Sequence, residues 1–415
     1  MIFGIADTIF WDLNALDQEL RRVSTICHGC RLCWNLCPSF PALFERIDAH
    51  DGSVAALTQQ DFRDVVDLCY QCKLCFVKCP YVPPHEFALD FPKVMLRAKA
   101  VRVKNEGTSL QDWILGRPEL LGMVGSATAP LSKWIPRLPF VRSLLHLGGV
   151  HRKRILPRYY RQTFRRWFGA HAPQGDGGNG KVAFFSTCFV NYNSPNVGIA
   201  AVKVLERNRV KVIHPPQKCC GMPLLDGGDI AGALKKANFN AASLAHVIKE
   251  GYEVVVPGPT CSYMLRHEYP HLVGGESAKL VAEHTHDLSE YLMKLHKRGK
   301  LDTQFTHRPV KISYHFPCHL KAQNIGYKSR DLMSLIPGAE VQVVEKCSGM
   351  DGTWGLKGKY FDLSLKVGTK LFNDIRDAKA ETAVSDCPLA QIQIEQGTGM
   401  KALHPVEVIA RAYGL

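Results

Sequence analysis

The strongest constraint on this chain is a pair of cysteine clusters near its N-terminus. The first runs Cys27-x-x-Cys30-x-x-Cys33-x-x-x-Cys37-Pro38, and the second repeats that spacing at Cys69, Cys72, Cys75, Cys79 and Pro80. Four thiols so closely spaced serve either a tetrahedral zinc ion or an iron–sulfur cluster. Zinc usually takes two separate C-x2-C knuckles, or Cys together with His. A third Cys three residues on, then a fourth before Pro, is the spacing that ligates [4Fe–4S] cubanes. The chain holds 15 Cys in 415 residues, and that odd count in a long chain argues against a secreted disulfide scaffold. The thiols read instead as metal ligands kept reduced in a cytoplasm.

The doubled spacing resembles that of bacterial ferredoxins, in which each motif gives three thiolates to one cluster and its fourth to the other. The resemblance implies Cys27, Cys30, Cys33 and Cys79 on one cubane, and Cys37, Cys69, Cys72 and Cys75 on the second. Leu13, Leu16, Leu20 and Val23 fall at helical spacing before the first motif, as do Leu43, Phe44, Ile47, Phe62, Val65 and Val66 between the motifs. With helical connectors and motif starts 42 residues apart, this part is similar to the all-helical ferredoxin modules of heterodisulfide reductase and succinate dehydrogenase.

Charge is concentrated in the middle of the chain. Residues 97–168 carry fifteen Lys or Arg against Glu106, Asp112 and Glu119, which accounts for +12 of the total net charge of +14. The stretch also holds Trp113, Trp134, Phe140, Tyr159, Tyr160, Phe164, Trp167 and Phe168, broken by Pro118, Pro130, Pro136, Pro139 and Pro157. A helix beginning near Pro157 would put Leu156, Tyr160, Phe164 and Trp167 on one face and Arg158, Arg161 and Arg165 on the other. That pattern suits an anionic membrane surface or an acidic partner; plain packing of the aromatic face is the competing reading. No nucleic-acid-binding motif surrounds the charge. Residues 1–26 contain Asp7, Asp12, Asp17 and Glu19 and no uninterrupted apolar core, so no signal peptide is expected, and no run reaches the length of a membrane span.

After a Gly-rich stretch at 169–180, read as a flexible linker, the chain repeats itself. VAFFSTCFVNY (182–192), VKVIHPPQKCCGMPLLDGG (210–228) and EVVVPGPTCSYM (253–264) are followed by KISYHFPCHL (311–320), VQVVEKCSGMDGTWG (341–355) and TAVSDCPLA (382–390). Cys188, Cys219 and Cys261 thereby correspond to Cys318, Cys347 and Cys387. Each of these cysteines follows a short β-branched run and precedes a helical pattern, so the copies should be parallel α/β units whose strand ends gather the thiols. His286 and His404, near the end of each copy, read as helix caps rather than ligands.

Cys219-Cys220-Gly221, with Cys188 before it and Cys261 after it, and Tyr314-His315-Phe316-Pro317-Cys318-His319-Leu320 in the second copy resemble the cysteine-rich CCG-domain proteins. That group includes the iron–sulfur subunits of anaerobic glycerol-3-phosphate dehydrogenase and glycolate oxidase, lactate-utilisation proteins and heterodisulfide reductase. The family pattern closes each domain with C-x-x-C, whereas this chain has Cys261-Ser-Tyr-Met264 and Cys387-Pro-Leu-Ala390, and Cys347-Ser348-Gly349 in place of the second CCG. Copy one keeps Cys188, Cys219, Cys220 and Cys261, enough for one further iron–sulfur cluster. Copy two keeps Cys318, Cys347 and Cys387, which leaves it an iron–sulfur site, a zinc site completed by His315 or His319, or empty. These five residues of copy two are the candidates for any chemistry at an incompletely ligated metal.

The expected fold class is therefore α+β and multidomain. It comprises an N-terminal α-helical ferredoxin module with two [4Fe–4S] clusters (1–96), a basic aromatic segment (97–168), a linker (169–180), and two duplicated α/β CCG domains with parallel strands (181–300 and 308–415). No G-x-G-x-x-G follows a strand, so no flavin or nicotinamide site is expected. The resemblance implies an electron-transfer subunit working between a flavoprotein dehydrogenase and a quinone or other carrier, peripheral on the cytoplasmic face of the inner membrane. The alternative is a disulfide or quinone reductase acting at a CCG-domain site.

Overall fold

A computed structural model describes residues 4–131, 138–307 and 311–415. Trp134 and Pro136 of the basic segment, and the first residues of the second CCG-like region, lie outside them. The chain forms two compact units, Met1–Trp113 with Pro223–Ala233, and Ile114–Met222 with Leu234–Leu415.

The first unit is helical. Asp12 caps the helix Leu13–Cys30 by accepting from the Ala15 N–H at 2.7 Å. Thr58 and Asp61 form a capping box on Gln59–Leu68, and Asp90 caps Phe91–Glu106, with Pro92 in its first turn. Each cap satisfies N–H groups that the helix itself leaves open. The first of these helices continues past the spaced apolar residues Leu13, Leu16, Leu20 and Val23 and through the first two motif cysteines. Leu16, Leu20 and Val23 pack with Phe40, Leu43, Phe44, Ile47, Phe62, Val65, Val66, Phe91 and Met95 in one core.

The second unit contains two four-stranded parallel sheets of the same strand order. One holds β1 Gly180–Phe184, β2 Val210–Ile213, β3 Glu253–Val256 and β4 Thr285–Asp287 in the order β2-β1-β3-β4. The other holds β5 Lys311–His315, β6 Glu340–Val344, β7 Thr382–Ser385 and β8 Ala402–Leu403 in the order β6-β5-β7-β8. The central strands β1, β3, β5 and β7 are buried along most of their length, as parallel sheets covered on both faces are. Val182, Phe184 and Val255 of the first sheet share one core with Ile312, Tyr314 and Val384 of the second. In each sheet the strand reversal lies between the first strand and its two neighbours, the place where α/β folds collect ligands at strand C-termini.

One reading of the middle of the chain is corrected. Residues 155–161 form no helix; the helix is Phe164–Ala170, capped by Thr163. Phe164 is fully buried against Phe184 and the partly buried Trp167 stacks on His171, so these two rings pack inward, whereas Tyr160 stays exposed. Within the Gly-rich stretch 169–180, His171 and the Gln174 N–H engage Glu206, and Asp176 pairs with Arg209 at 2.7 Å.

Candidate metal centres

Eight of the cysteines line two hollows in the helical unit. Cys27, Cys30, Cys33 and Cys79 line one, together with Ile26, Phe40, Phe44, Pro80 and Leu89. Cys37, Cys69, Cys72 and Cys75 line the other, with Leu36, Tyr70, Phe91 and Pro92. Each encloses about 300 Å³ of empty space, its open mouth included. The fourth cysteine of each motif thus stands among the first three of the other. The chain reaches this arrangement through left-handed turns at Arg31, Gln71 and Lys73, which reverse it within each motif.

Burial and crowding keep Cys27, Cys33 and Cys75 from ionising readily. Burial pushes Cys33 up to about 11, with Cys79 and Cys30 adding to the shift. Cys27 is raised by burial and by Cys33, Cys79 and Cys30, and Cys75 by burial and by Cys72, Cys69 and Cys37. Four buried thiolates cannot share one hollow without neutralisation. Metal binding supplies that neutralisation and releases the protons, so each donor set fits a cubane.

Copy one brings its four thiols together at the ends of the first sheet. Cys188 opens the helix Cys188–Tyr192 after β1, Cys219 and Cys220 follow β2, and Cys261 lies in Pro259–Tyr263 after β3. The thiols influence one another in sequence, Cys188 with Cys219, Cys219 with Cys220, and Cys220 with Cys261. Cys219 is held well below the usual thiol range by hydrogen bonds from Cys188 and Cys220 and by the Gly221 N–H, while its partners are raised. Such neighbours favour the thiolate form, which is the form that binds a metal.

The frame around this site was not visible in the sequence. Asn240 donates to the carbonyls of Lys218 (3.2 Å) and Cys219 (3.1 Å) and accepts from the Lys218 N–H at 2.8 Å. The Tyr269 hydroxyl donates to the Cys220 carbonyl at 3.0 Å. Glu119, from the helix Pro118–Ala127, accepts from the Cys219 N–H and pairs with Lys236. These partners lie tens of residues from the cysteines they hold, beyond the reach of any local spacing.

Copy two is built differently. Cys318 opens Cys318–Ala322 after β5, Cys347 follows β6, and Cys387 immediately precedes Pro388–Thr398 after β7. His315, the last residue of β5, is buried, with Nδ1 2.9 Å from Ser385 Oγ and Nε2 3.2 Å from the Lys346 carbonyl; both ring nitrogens are thus engaged by the protein. Cys318 Sγ lies 3.5 Å from Asp351 Oδ2. Burial pushes Cys387 up to about 12, and Asp351 and Asp386 add to the shift. The Cys347 sulfur accepts from the Gly349 N–H at 3.3 Å. Of the two further histidines, His404 is a helix cap, accepting from the Val406 N–H at 3.1 Å. His286 is not; it sits in β4, 2.9 Å from Glu253, and Asp287 caps the following helix.

The arrangement has counterparts among known proteins. Residues 20–106 match the Citrate utilization protein B Fer4-like domain, and residues 182–266 and 312–395 each match the Cysteine-rich domain known as CCG. The chain is 32% identical over 323 residues to a subunit of the anaerobic glycerol-3-phosphate dehydrogenase of Escherichia coli (strain K12), a match covering 77% of this chain and 81% of that protein. It is 29% identical over 245 residues to a subunit of the fumarate reductase (CoM/CoB) of Methanothermobacter marburgensis, covering 57% of this chain and 46% of that one. Lactate utilization protein A of Geobacillus thermodenitrificans matches at 29% over 219 residues, 50% of this chain and 87% of that protein.

Proposed function

Because the chain belongs to the CCG-domain iron–sulfur family that includes this anaerobic glycerol-3-phosphate dehydrogenase subunit, we propose that it is the iron–sulfur electron-transfer subunit of an oxidoreductase. In this reading it passes electrons between a flavoprotein dehydrogenase and a quinone or another carrier. The observation that carries it is the sorting of eight thiols into two four-thiol hollows. Cys27, Cys30, Cys33 and Cys79 would hold one [4Fe–4S] cluster, Cys37, Cys69, Cys72 and Cys75 a second, and Cys188, Cys219, Cys220 and Cys261 a further one in copy one. When bound, such clusters supply one-electron carriers with potentials between roughly −700 and +450 mV. The chain's own share is to exclude water and to orient the ligands: Phe40 and Phe91 stack between the packed helices, and Asn240 and Tyr269 fix the Cys219–Cys220 loop.

A membrane role belongs to the same reading. No helix among the described residues is long and apolar enough to cross a membrane. The helices Pro118–Ala127 and Pro139–Leu147 instead leave Met123, Val124, Phe140 and Leu147 in solvent, with Phe140 73% and Leu147 84% exposed. Exposed apolar side chains within a strongly basic segment suit an anionic lipid surface, here the cytoplasmic face of the inner membrane.

The test is anaerobic. With photoreduced flavin as donor, the reconstituted chain should take up electrons with bleaching of its iron–sulfur absorbance, and the isolated chain should sustain no turnover with disulfides or quinone analogues. Sustained turnover without a flavoprotein would overturn the carrier reading in favour of a reductase acting at a CCG site.

A further inference from the structure

Copy two departs from its all-thiolate counterpart in an ordered way. Aligning Cys347 with Cys219 puts Ser348 where copy one has Cys220, and Asp351 where copy one has Pro223. A thiolate has been lost and a carboxylate gained in the same loop. The structure turns that carboxylate toward the helix that opens with Cys318. One ligand atom each from Cys318, His319 and Asp351 lies within 4.8 Å of the other two. Sulfur, imidazole nitrogen and carboxylate oxygen at such separations form the donor set of a borderline divalent ion, and zinc above all takes such a mixture.

The imidazole is held as a ligand would be. His319 is buried; its Nδ1 lies 2.9 Å from the Thr260 hydroxyl and its ring stacks on Tyr263 at 5.2 Å. Gln323 ties the same helix to Pro259–Tyr263, donating to Ser262 Oγ at 2.9 Å and to the Pro259 carbonyl at 3.2 Å. Partners of this kind on the second ring nitrogen orient metal-binding histidines and set their tautomer. Thr260 and Tyr263 belong to copy one, so the first sheet supplies the outer support for a site on the second.

We propose that Cys318, His319 and Asp351 bind one divalent transition-metal ion, zinc by donor chemistry, so that copy two is a mononuclear centre and not a second all-thiolate cluster. Three protein donors suffice for a tetrahedral ion that keeps one position for water. The inference goes beyond the electron-carrier reading and does not rest on it.

The experiment uses the full chain purified anaerobically from medium supplied with iron and zinc. Zinc and iron are counted together, and X-ray absorption is recorded at the zinc edge. The expected result is about one zinc per chain, with a single sulfur and otherwise nitrogen or oxygen neighbours. Asp351→Ala and Cys318→Ala should each lose that zinc and leave the iron count unchanged. A zinc shell of four sulfurs, no zinc in the wild-type chain, or iron that falls with Asp351→Ala would overturn the proposal. The edge spectrum is read on the unaltered protein, so a variant that fails to fold does not remove the test. Absence of iron from the wild-type chain would instead sink the electron-carrier reading and leave the zinc result standing.

Discussion

Gly349 shows how narrowly the loops around the thiols are specified. Its φ is +69°, and an added Cβ would meet the Ser364 carbonyl oxygen at 2.1 Å, so a side chain there is both strained and obstructed. Gly349→Ala should cost about 3 kcal/mol or more, visible as a large drop in melting temperature; an unchanged melt would refute this account of the loop. His315 and His214 give a pH dependence. Burial pushes each down to about 4, below the unfolded value of about 6.5. Between those values the unfolded chain binds the protons and the folded chain does not, so stability is complete above about pH 6.5 and falls as pH drops toward 4. Denaturant midpoints measured across that range should decline with acid, and His315→Gln should flatten the decline. The thiols themselves were legible because ligand spacing is local. Asp351, Asn240 and Glu119 were not, since each acts across 20 residues or more and nothing in their immediate neighbours marks them.

Arg154 and the exposed helix faces divide the basic segment into two roles. Arg154 is fully buried: it donates to Gln393 Oε1 at 2.6 Å and Ser364 Oγ at 3.2 Å and lies 4.6 Å over the Phe361 ring. Burial lowers its pKa to about 10. Arg154→Ala would strip the partner from buried polar groups and leave a void, a loss of about 2–4 kcal/mol, while binding to anionic vesicles stays unchanged. Phe140→Asp with Leu147→Asp should do the reverse, weakening vesicle binding about tenfold or more with little change in the melt. Sedimentation with vesicles separates the two, and release by Arg154→Ala alone would contradict the assignment. In copy one, Asn240→Ala should lower the iron held there without touching the helical unit, as counted on the purified chain. Regular elements could be read from periodicity: the strands that precede the C-terminal cysteines and the helices around the first motifs fall where the apolar spacing puts them. The segment 155–168 could not, because a buried aromatic face and a membrane-facing one carry the same pattern, and only packing on Phe184 and Gly198 distinguishes them.

The two compact units divide the chemistry as the sequence divides its motifs. One gathers eight thiols among helices, and the other places its remaining cysteines at the ends of two parallel sheets. Legibility followed contact range here too: strand–loop–helix repetition gave the sheets, but the difference between their two sites depends on which side chains the loops turn inward. An electron carrier of this design requires that the two N-terminal motifs interlock, each completing the other's cluster. Iron content of paired cysteine variants tests that most directly. Cys27→Ala with Cys79→Ala should remove only about four irons, as either change alone does, whereas Cys27→Ala with Cys37→Ala should remove about eight. The opposite outcome, four irons lost with Cys27 and Cys37 and eight with Cys27 and Cys79, would contradict the account.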